Sequence, residues 1–303
     1  MKTLGRLLKH IIVPLVTAFK KGTQEINFKV TADLMDYLIS RKYCDSILVA
    51  GTTGEFNTLL HDERIELFKF VKKAVKRRVP LIAGTGAAST KETLILTQKA
   101  EELRYDAVMI VAPYYCKPTQ EGIYQHFKVI AEKTKIPIML YNIPIFTGVN
   151  MDPVTVERLS KFKNIMGIKD EAGINPTQMT EYARVTPDNF TIYNGDDIMV
   201  LCGLVQGAAG VVSGGSHVIG DKMRKMIEAF LAGDIKKAEK IHKTLDPLFK
   251  SWGPDGGVNP IPGVRAAIEM MGIPVGPPRL PLAESTKAEK ARIRAQLVRL
   301  KVI

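Results

Sequence analysis

Lys169 closes the apolar run Asn164-Ile165-Met166-Gly167-Ile168-Lys169-Asp170. A run of that composition reads as a strand buried on both faces, and a core strand rarely ends on an ammonium group without chemical reason. Upstream, Ile136-Pro137-Ile138-Met139-Leu140 ends in the same way in Tyr141-Asn142-Ile143-Pro144, and Ser46-Ile47-Leu48-Val49-Ala50 runs into Gly51-Thr52-Thr53-Gly54-Glu55. A lysine, a tyrosine and a threonine–glycine loop, each at the C-terminal end of a strand, form the set needed to capture a 2-oxo acid as an imine. The amine attacks the ketone, the phenol moves protons, and backbone N–H groups of the loop meet the carboxylate.

Each of these residues also has a plainer reading. Strand alternation puts Ile165, Gly167 and Lys169 on one face, where the glycine leaves room for a ligand or another side chain. Lys169 can snorkel from the strand end or pair with Asp170 or Glu171, which follow it directly. The chemical reading instead makes it a desolvated amine of lowered pKa. Tyr141 alone is an ordinary core aromatic; beside a lysine on the next strand it becomes a proton shuttle. Thr52 and Thr53 can form a simple turn, although Gly51 and Gly54 let backbone N–H groups approach an anion closely. Tyr114-Tyr115 follows another strand end, at Pro113. The company these residues keep favours chemistry.

The elements that must position them alternate along the chain. Strand candidates are Ile11–Ala18, Ser46–Ala50, Pro80–Ala83, Ala107–Ala112, Pro137–Tyr141, Ile165–Lys169, Thr191–Asn194 and Gly210–Ser213. Amphipathic segments with apolar residues three and four apart, such as Ile65, Phe68, Val71 and Val75, separate them. Eight such units predict a (β/α)8 TIM barrel over 1–232, against a doubly wound sheet as the structural rival. After Gly233 the alternation stops. Asp234–Leu248, Val264–Met271 and a last segment opened by Thr286-Lys287-Ala288-Glu289, a capping-box pattern, predict a C-terminal helical extension over 233–303. Two glycine motifs are poor matches to phosphate sites. Gly84-Thr85-Gly86-Ala87-Ala88-Ser89 lacks the third glycine of a dinucleotide fingerprint. Gly214-Gly215-Ser216 faces Gly195-Asp196-Asp197, which repels phosphate.

Bulk properties narrow the partners. The 303 residues are 46% hydrophobic and 24% charged, with no low-complexity tract and no apolar run long enough for a membrane span. No signal-type segment follows the basic start, so a cytoplasmic address is expected. Three separated cysteines and five scattered histidines give neither a disulfide framework nor metal-ligand spacing. The net charge of +12 is spread over helix backs, as at Lys69, Lys72, Lys73 and Lys76, without interleaved aromatics. This predicts a lysine-rich surface, with some steering of anionic metabolites, rather than nucleic-acid binding.

Taken together, Gly51-Thr52-Thr53-Gly54-Glu55, Pro113-Tyr114-Tyr115, Tyr141-Asn142-Ile143-Pro144 with Thr147-Gly148, and Gly167-Ile168-Lys169 resemble the dihydrodipicolinate synthase / N-acetylneuraminate lyase family of class I pyruvate-handling aldolases. The likeness spans essentially the whole chain. It implies that Lys169 forms the Schiff base, that Tyr141 is the acid/base linked through Thr52 to Tyr115, and that Tyr115 reaches in from a neighbouring subunit of a homotetramer. It implies that Thr53, Gly54 and the backbone near Val212 contact pyruvate, and that no metal or organic cofactor is used. Members that condense pyruvate with aspartate semialdehyde carry an arginine in Pro-x-Arg-Thr-Gly; here Phe146 stands in its place, which removes an anion clamp. Lys169-Asp170 resembles members acting on 2-keto-3-deoxy sugar acids, while Gly195-Asp196-Asp197 also occurs in the synthase. Asp197 and Ser213 become candidate hydroxyl binders. The expectation is therefore a lyase acting on a 2-keto-3-deoxy sugar acid such as 2-keto-3-deoxygluconate, releasing or condensing pyruvate with an aldehyde. The alternatives are 4-hydroxy-tetrahydrodipicolinate synthase and a non-catalytic ligand-binding protein on the same scaffold.

Overall fold

The computed structural model describes residues 3–171, 173, 175–255 and 258–303. Eight parallel strands, β1 (Ile11–Pro14), β2 (Ser46–Val49), β3 (Leu81–Gly84), β4 (Ala107–Val111), β5 (Ile138–Asn142), β6 (Ile165–Asp170), β7 (Thr191–Asn194) and β8 (Val211–Val212), follow one another around a closed barrel. Pairing of β8 with β1 completes the ring, which excludes the open doubly wound sheet. Almost every strand residue is buried, as expected of parallel strands covered on both faces.

Alternation divides each strand between two cores. Ile12, Leu48, Ile82, Met109, Met139, Tyr193 and Val212 point inward, joined from helix Leu4–Leu8 by Leu4 and Leu8. The opposite faces pack under the surrounding helices; helix His61–Val75 presents Leu67, Phe68, Val71 and Val75 to them. Gly167 lies on the inward face, but a Cβ there would stand 2.4 Å from the Thr191 carbonyl and 3.2 Å from Leu4 Cδ1. The space it leaves is therefore filled by the neighbouring strand and the Leu4 side chain, and not by a ligand.

Helix Ser216–Leu231 runs on into helices Ile235–Ser251, Ile261–Met270 and Lys287–Arg299. The last begins with the expected capping box: Thr286 Oγ1 accepts from Glu289 N, and Glu289 Oε2 accepts from Thr286 N. Its stripe of Ile293, Leu297 and Leu300 is buried. Two arginines fasten this region to the barrel. Arg265 binds Glu55 and the Thr17 carbonyl, and Arg279 binds Glu63 and the Gln24 carbonyl. Among the described residues, no helix is long and apolar enough to cross a membrane.

Candidate active site

At the C-terminal mouth of the barrel, where strand ends place reactive groups, a cavity of about 610 Å3 opens onto Lys169, Tyr141, Thr52 and Thr53. Register explains the first pair. Tyr141 on β5 lies directly opposite Lys169 on β6, both on the inward face. Lys169 is only 6% exposed, with its Nζ 3.9 Å from the centre of the Tyr141 ring. Gly195, just after β7, makes this packing feasible: a Cβ there would come within 2.6 Å of Lys169 Cε.

The lysine is not the uncharged amine expected from the sequence. Its Nζ forms a 2.9 Å ion pair with Glu171 Oε2, which also accepts from the Tyr141 hydroxyl at 3.1 Å. Burial alone pushes the ammonium's pKa down, but Glu171 and Tyr141 more than offset it and the net direction is upward. Burial, and then Glu171, likewise hold the Tyr141 phenol in its protonated form. Lys169 is thus paired, as in the plainer reading, and a cavity lies beside it. The partner was legible in the strand period, since residues i and i+2 share a face. Asp170 turns to the other face, where it accepts from Asn142 Nδ2 at 2.9 Å and Gln178 Nε2 at 3.2 Å. Asn142 also receives the Met151 N–H, which ties down the end of the loop carrying Phe146.

The remaining expected residues divide. Thr52 lines the cavity together with Tyr141, and Thr53 lines it beside them. Gly54 does not offer its N–H to a carboxylate. That group closes a turn onto the Gly51 carbonyl, and a Cβ would strike the Leu15 carbonyl at 2.8 Å, so the glycine serves the loop's packing. Tyr115 is 93% exposed, in a left-handed conformation (φ 73°), and does not line the cavity of its own chain. The Tyr141–Thr52–Tyr115 relay is therefore not assembled within one chain. Val212 lines the cavity, and Phe146 lines it beside Ile145.

Asp197 also lines the cavity, but its Oδ2 accepts from Gly215 N at 2.6 Å, at the start of helix Ser216–Leu231. A carboxylate thus occupies the helix end where a phosphate would otherwise bind. Burial raises the Asp197 pKa to about 6, while the Ser213 hydroxyl and Gly215 N–H pull it down. Ser213 supports Asp197 and accepts from Ser216 N at 2.9 Å; it lies outside the cavity lining, which corrects its expected role as a ligand contact. The wall facing Lys169 is acidic, with Glu171, Asp196 and Asp197, and the other lining cation, Lys250, pairs with Asp246. Among the described residues, no group of three or more His, Cys, Asp or Glu is placed to hold a metal ion.

The chain matches the family model described as the dihydrodipicolinate synthetase family over residues 7–300. It is 46% identical over 288 residues to the 4-hydroxy-tetrahydrodipicolinate synthase of Desulforudis audaxviator, covering 95% of this chain and 96% of that one. Among solved structures, the dihydrodipicolinate synthase DapA-2 of Bacillus anthracis superposes with a TM-score of 0.90 at 44% identity, covering 96% of this chain and 98% of that chain. YagE, an Escherichia coli K12 prophage protein of the dihydrodipicolinic acid synthase family solved with pyruvate, superposes at 0.91 with 28% identity, covering 98% and 100%.

Proposed function

The chain belongs to the dihydrodipicolinate synthetase family, and on that premise we propose that Lys169 forms an imine with pyruvate whose enamine then adds to the aldehyde of aspartate semialdehyde. It is an enzyme of this class I aldolase family. The names of its relatives support this synthase reaction over the sugar-acid cleavage expected from sequence. The observation that carries the proposal is the placement of Lys169: buried at the floor of the cavity, paired across the sheet with Tyr141, and backed by Thr52 and Thr53.

In this reading the neutral amine adds to C2 of pyruvate and water leaves. The protonated imine acidifies the C3 hydrogens, and loss of one yields the enamine, a carbon nucleophile aimed at the cavity. No organic cofactor or metal enters the proposal. Tyr115, standing clear of its own chain, suits insertion into a neighbouring subunit's site within a homotetramer.

Phe146 favours a second reading. It puts a phenyl ring where the synthase pattern has a guanidinium, the lining carries the carboxylates of Glu171, Asp196 and Asp197, and its second cation, Lys250, is paired with Asp246. Such a site suits a neutral polyol aldehyde, hence a 2-keto-3-deoxy sugar acid in the cleavage direction. Steady-state rates with aspartate semialdehyde plus pyruvate, set against 2-keto-3-deoxygluconate, decide between them. Faster turnover of the sugar acid reverses the first reading. Borohydride reduction with pyruvate and peptide mass mapping test the shared step: an adduct on Lys169, absent from Lys169→Ala, is expected. Pyruvate binding without any adduct would instead mark a catalytically silent binding protein.

A further inference from the structure

Glu171 touches both side chains that the imine step needs. One oxygen, Oε2, takes the Lys169 ammonium at 2.9 Å and the Tyr141 hydroxyl at 3.1 Å. It reaches them because it follows Lys169 by two residues on the cavity face, and because Gly195 is bare where a Cβ would stand 2.8 Å from Oε2. An ammonium held in this way has no lone pair with which to attack a ketone. The carboxylate that blocks the amine is also the nearest group able to release it.

We propose that Glu171 is the proton carrier of imine formation, taking the proton of Lys169 as the 2-oxo acid arrives and returning it to the departing hydroxyl. The inference rests on the reading of Lys169 as the imine-forming amine. Glu171 accepts one proton from the ammonium, leaving a neutral amine and a carboxylic acid. The amine's lone pair forms the C–N bond as the carbonyl π pair moves onto oxygen, and a proton passing from nitrogen to that oxygen gives the carbinolamine. The C–O bond then breaks with the proton of Glu171, water departs, and the nitrogen lone pair closes the protonated imine. Glu171 ends ionised beside the new cation.

The trigger is electrostatic. A 2-oxo acid brings its own carboxylate into a site that already holds Glu171 and Asp196, and a like charge raises the proton affinity of Glu171. An arriving carboxylate that lies nearer Oε2 than Nζ therefore favours passage of the proton from Lys169 to Glu171. Tyr141, whose hydroxyl points at Oε2, orients the carboxylate.

The test is the rate of borohydride-trappable adduct formation after rapid mixing with pyruvate. Glu171→Gln keeps the shape but cannot carry the proton, so trapping should slow about a hundredfold, as for loss of a positioned acid–base group, and Glu171→Asp should recover part of the rate. A carboxylate that merely restrains the lysine predicts the opposite: Glu171→Gln frees the amine and traps as fast as wild type or faster, which overturns the assignment. Should Glu171→Gln not fold, Glu171→Asp alone serves: trapping about tenfold slower is expected, and an unchanged rate overturns it. Absence of any adduct in the wild type overturns the imine reading itself, and this proposal with it. A wild-type adduct with an equally fast Glu171→Gln overturns only the role of Glu171.

Discussion

Glu55 and Arg265 stand 210 residues apart in the chain and 2.8 Å apart in space, both shielded from solvent. Glu55 ends the Gly51–Glu55 loop in a left-handed conformation (φ 56°), so the loop that carries Thr52 and Thr53 finishes on a carboxylate anchored from outside the barrel. Burial pushes the Glu55 carboxyl up, and Arg265 pulls it back down. The guanidinium also takes the carbonyls of Thr17, Val275 and Pro277, so its fork is satisfied on several sides. Helix Ile261–Met270, far from the cavity floor in sequence, thereby holds an edge of the site.

Removing Arg265 leaves a buried carboxylate without its partner. Arg265→Met should cost about 3–5 kcal/mol of stability, read as a lower urea midpoint. It should also raise KM for pyruvate more than it lowers kcat, because the loosened loop carries contacts and not the amine. Arg265→Lys should rescue little, since a single ammonium cannot reproduce the fork. A midpoint within experimental error of wild type would show that the loop does not depend on this anchor.

Two buried histidines set an acid limit on the fold. Burial lowers His126 and His217 from 6.5 to about 4. His217 is held neutral by geometry: its Nε2 accepts from Val16 N, and its Nδ1 hydrogen-bonds the Gly214 carbonyl. A depressed folded pKa gives stability that is present above 6.5 and is lost as pH falls through about 4, up to about 3 kcal/mol per group. Asp197, raised from 3.8 to about 6, works in the other direction: its contribution is present below 3.8 and lost as pH rises through 6. Chemical unfolding measured from pH 7 to 4 should therefore show a shallow fall for wild type. The fall should flatten in His217→Gln and steepen in Asp197→Asn. A slope unchanged in both variants would place the titrating groups elsewhere.

The barrel was legible because its strands are buried on both faces and its helices on one. Two periods and a count of eight therefore sufficed, and all eight strand candidates overlap observed strands. The positions of Lys169 and Tyr141 were legible for the same reason: a polar residue ending a core strand stands out. Charge state was not. Whether Lys169 is paired depends on which carboxylate shares its face: Asp170 and Glu171 were both open as partners, and the pleat selects Glu171. Gly54 and Ser213 misled because a glycine or serine beside a site has the same composition whether it meets a ligand or braces the loop. Gly195 went unnoticed as a packing residue, since its importance lies in atoms contributed by β6.

Phe146 offers a direct reading of aldehyde choice. It lies at the cavity wall on the short helix Pro144–Thr147. Phe146→Arg should restore a carboxylate clamp and raise kcat/KM for aspartate semialdehyde ten- to a hundredfold, about 1.4–2.8 kcal/mol. Rates with neutral aldehydes should fall or stay level. If the substitution leaves the semialdehyde rate unchanged, that carboxylate is recognised from another part of the cavity.

Gly195→Ala addresses the packing on which the site's electrostatics depend. The new methyl would stand 2.6 Å from Lys169 Cε, 2.8 Å from Glu171 Oε2 and 2.9 Å from Glu171 Cβ. Lysine can swing its end aside, but a Cβ moves only with its backbone, so the pair must separate. Gly195 N donates to the Asp170 carbonyl without a left-handed φ, so alanine carries no backbone penalty at this position. The fold should survive with its unfolding midpoint close to wild type. Displacing an amine by about 1 Å at a reacting centre costs on the order of a hundredfold in rate, and kcat should fall by that order while cavity volume and pyruvate affinity change less. Reduction with borohydride should give a slower adduct at the same lysine. Full activity in Gly195→Ala would mean that the contact between Lys169 and Glu171 is incidental to turnover.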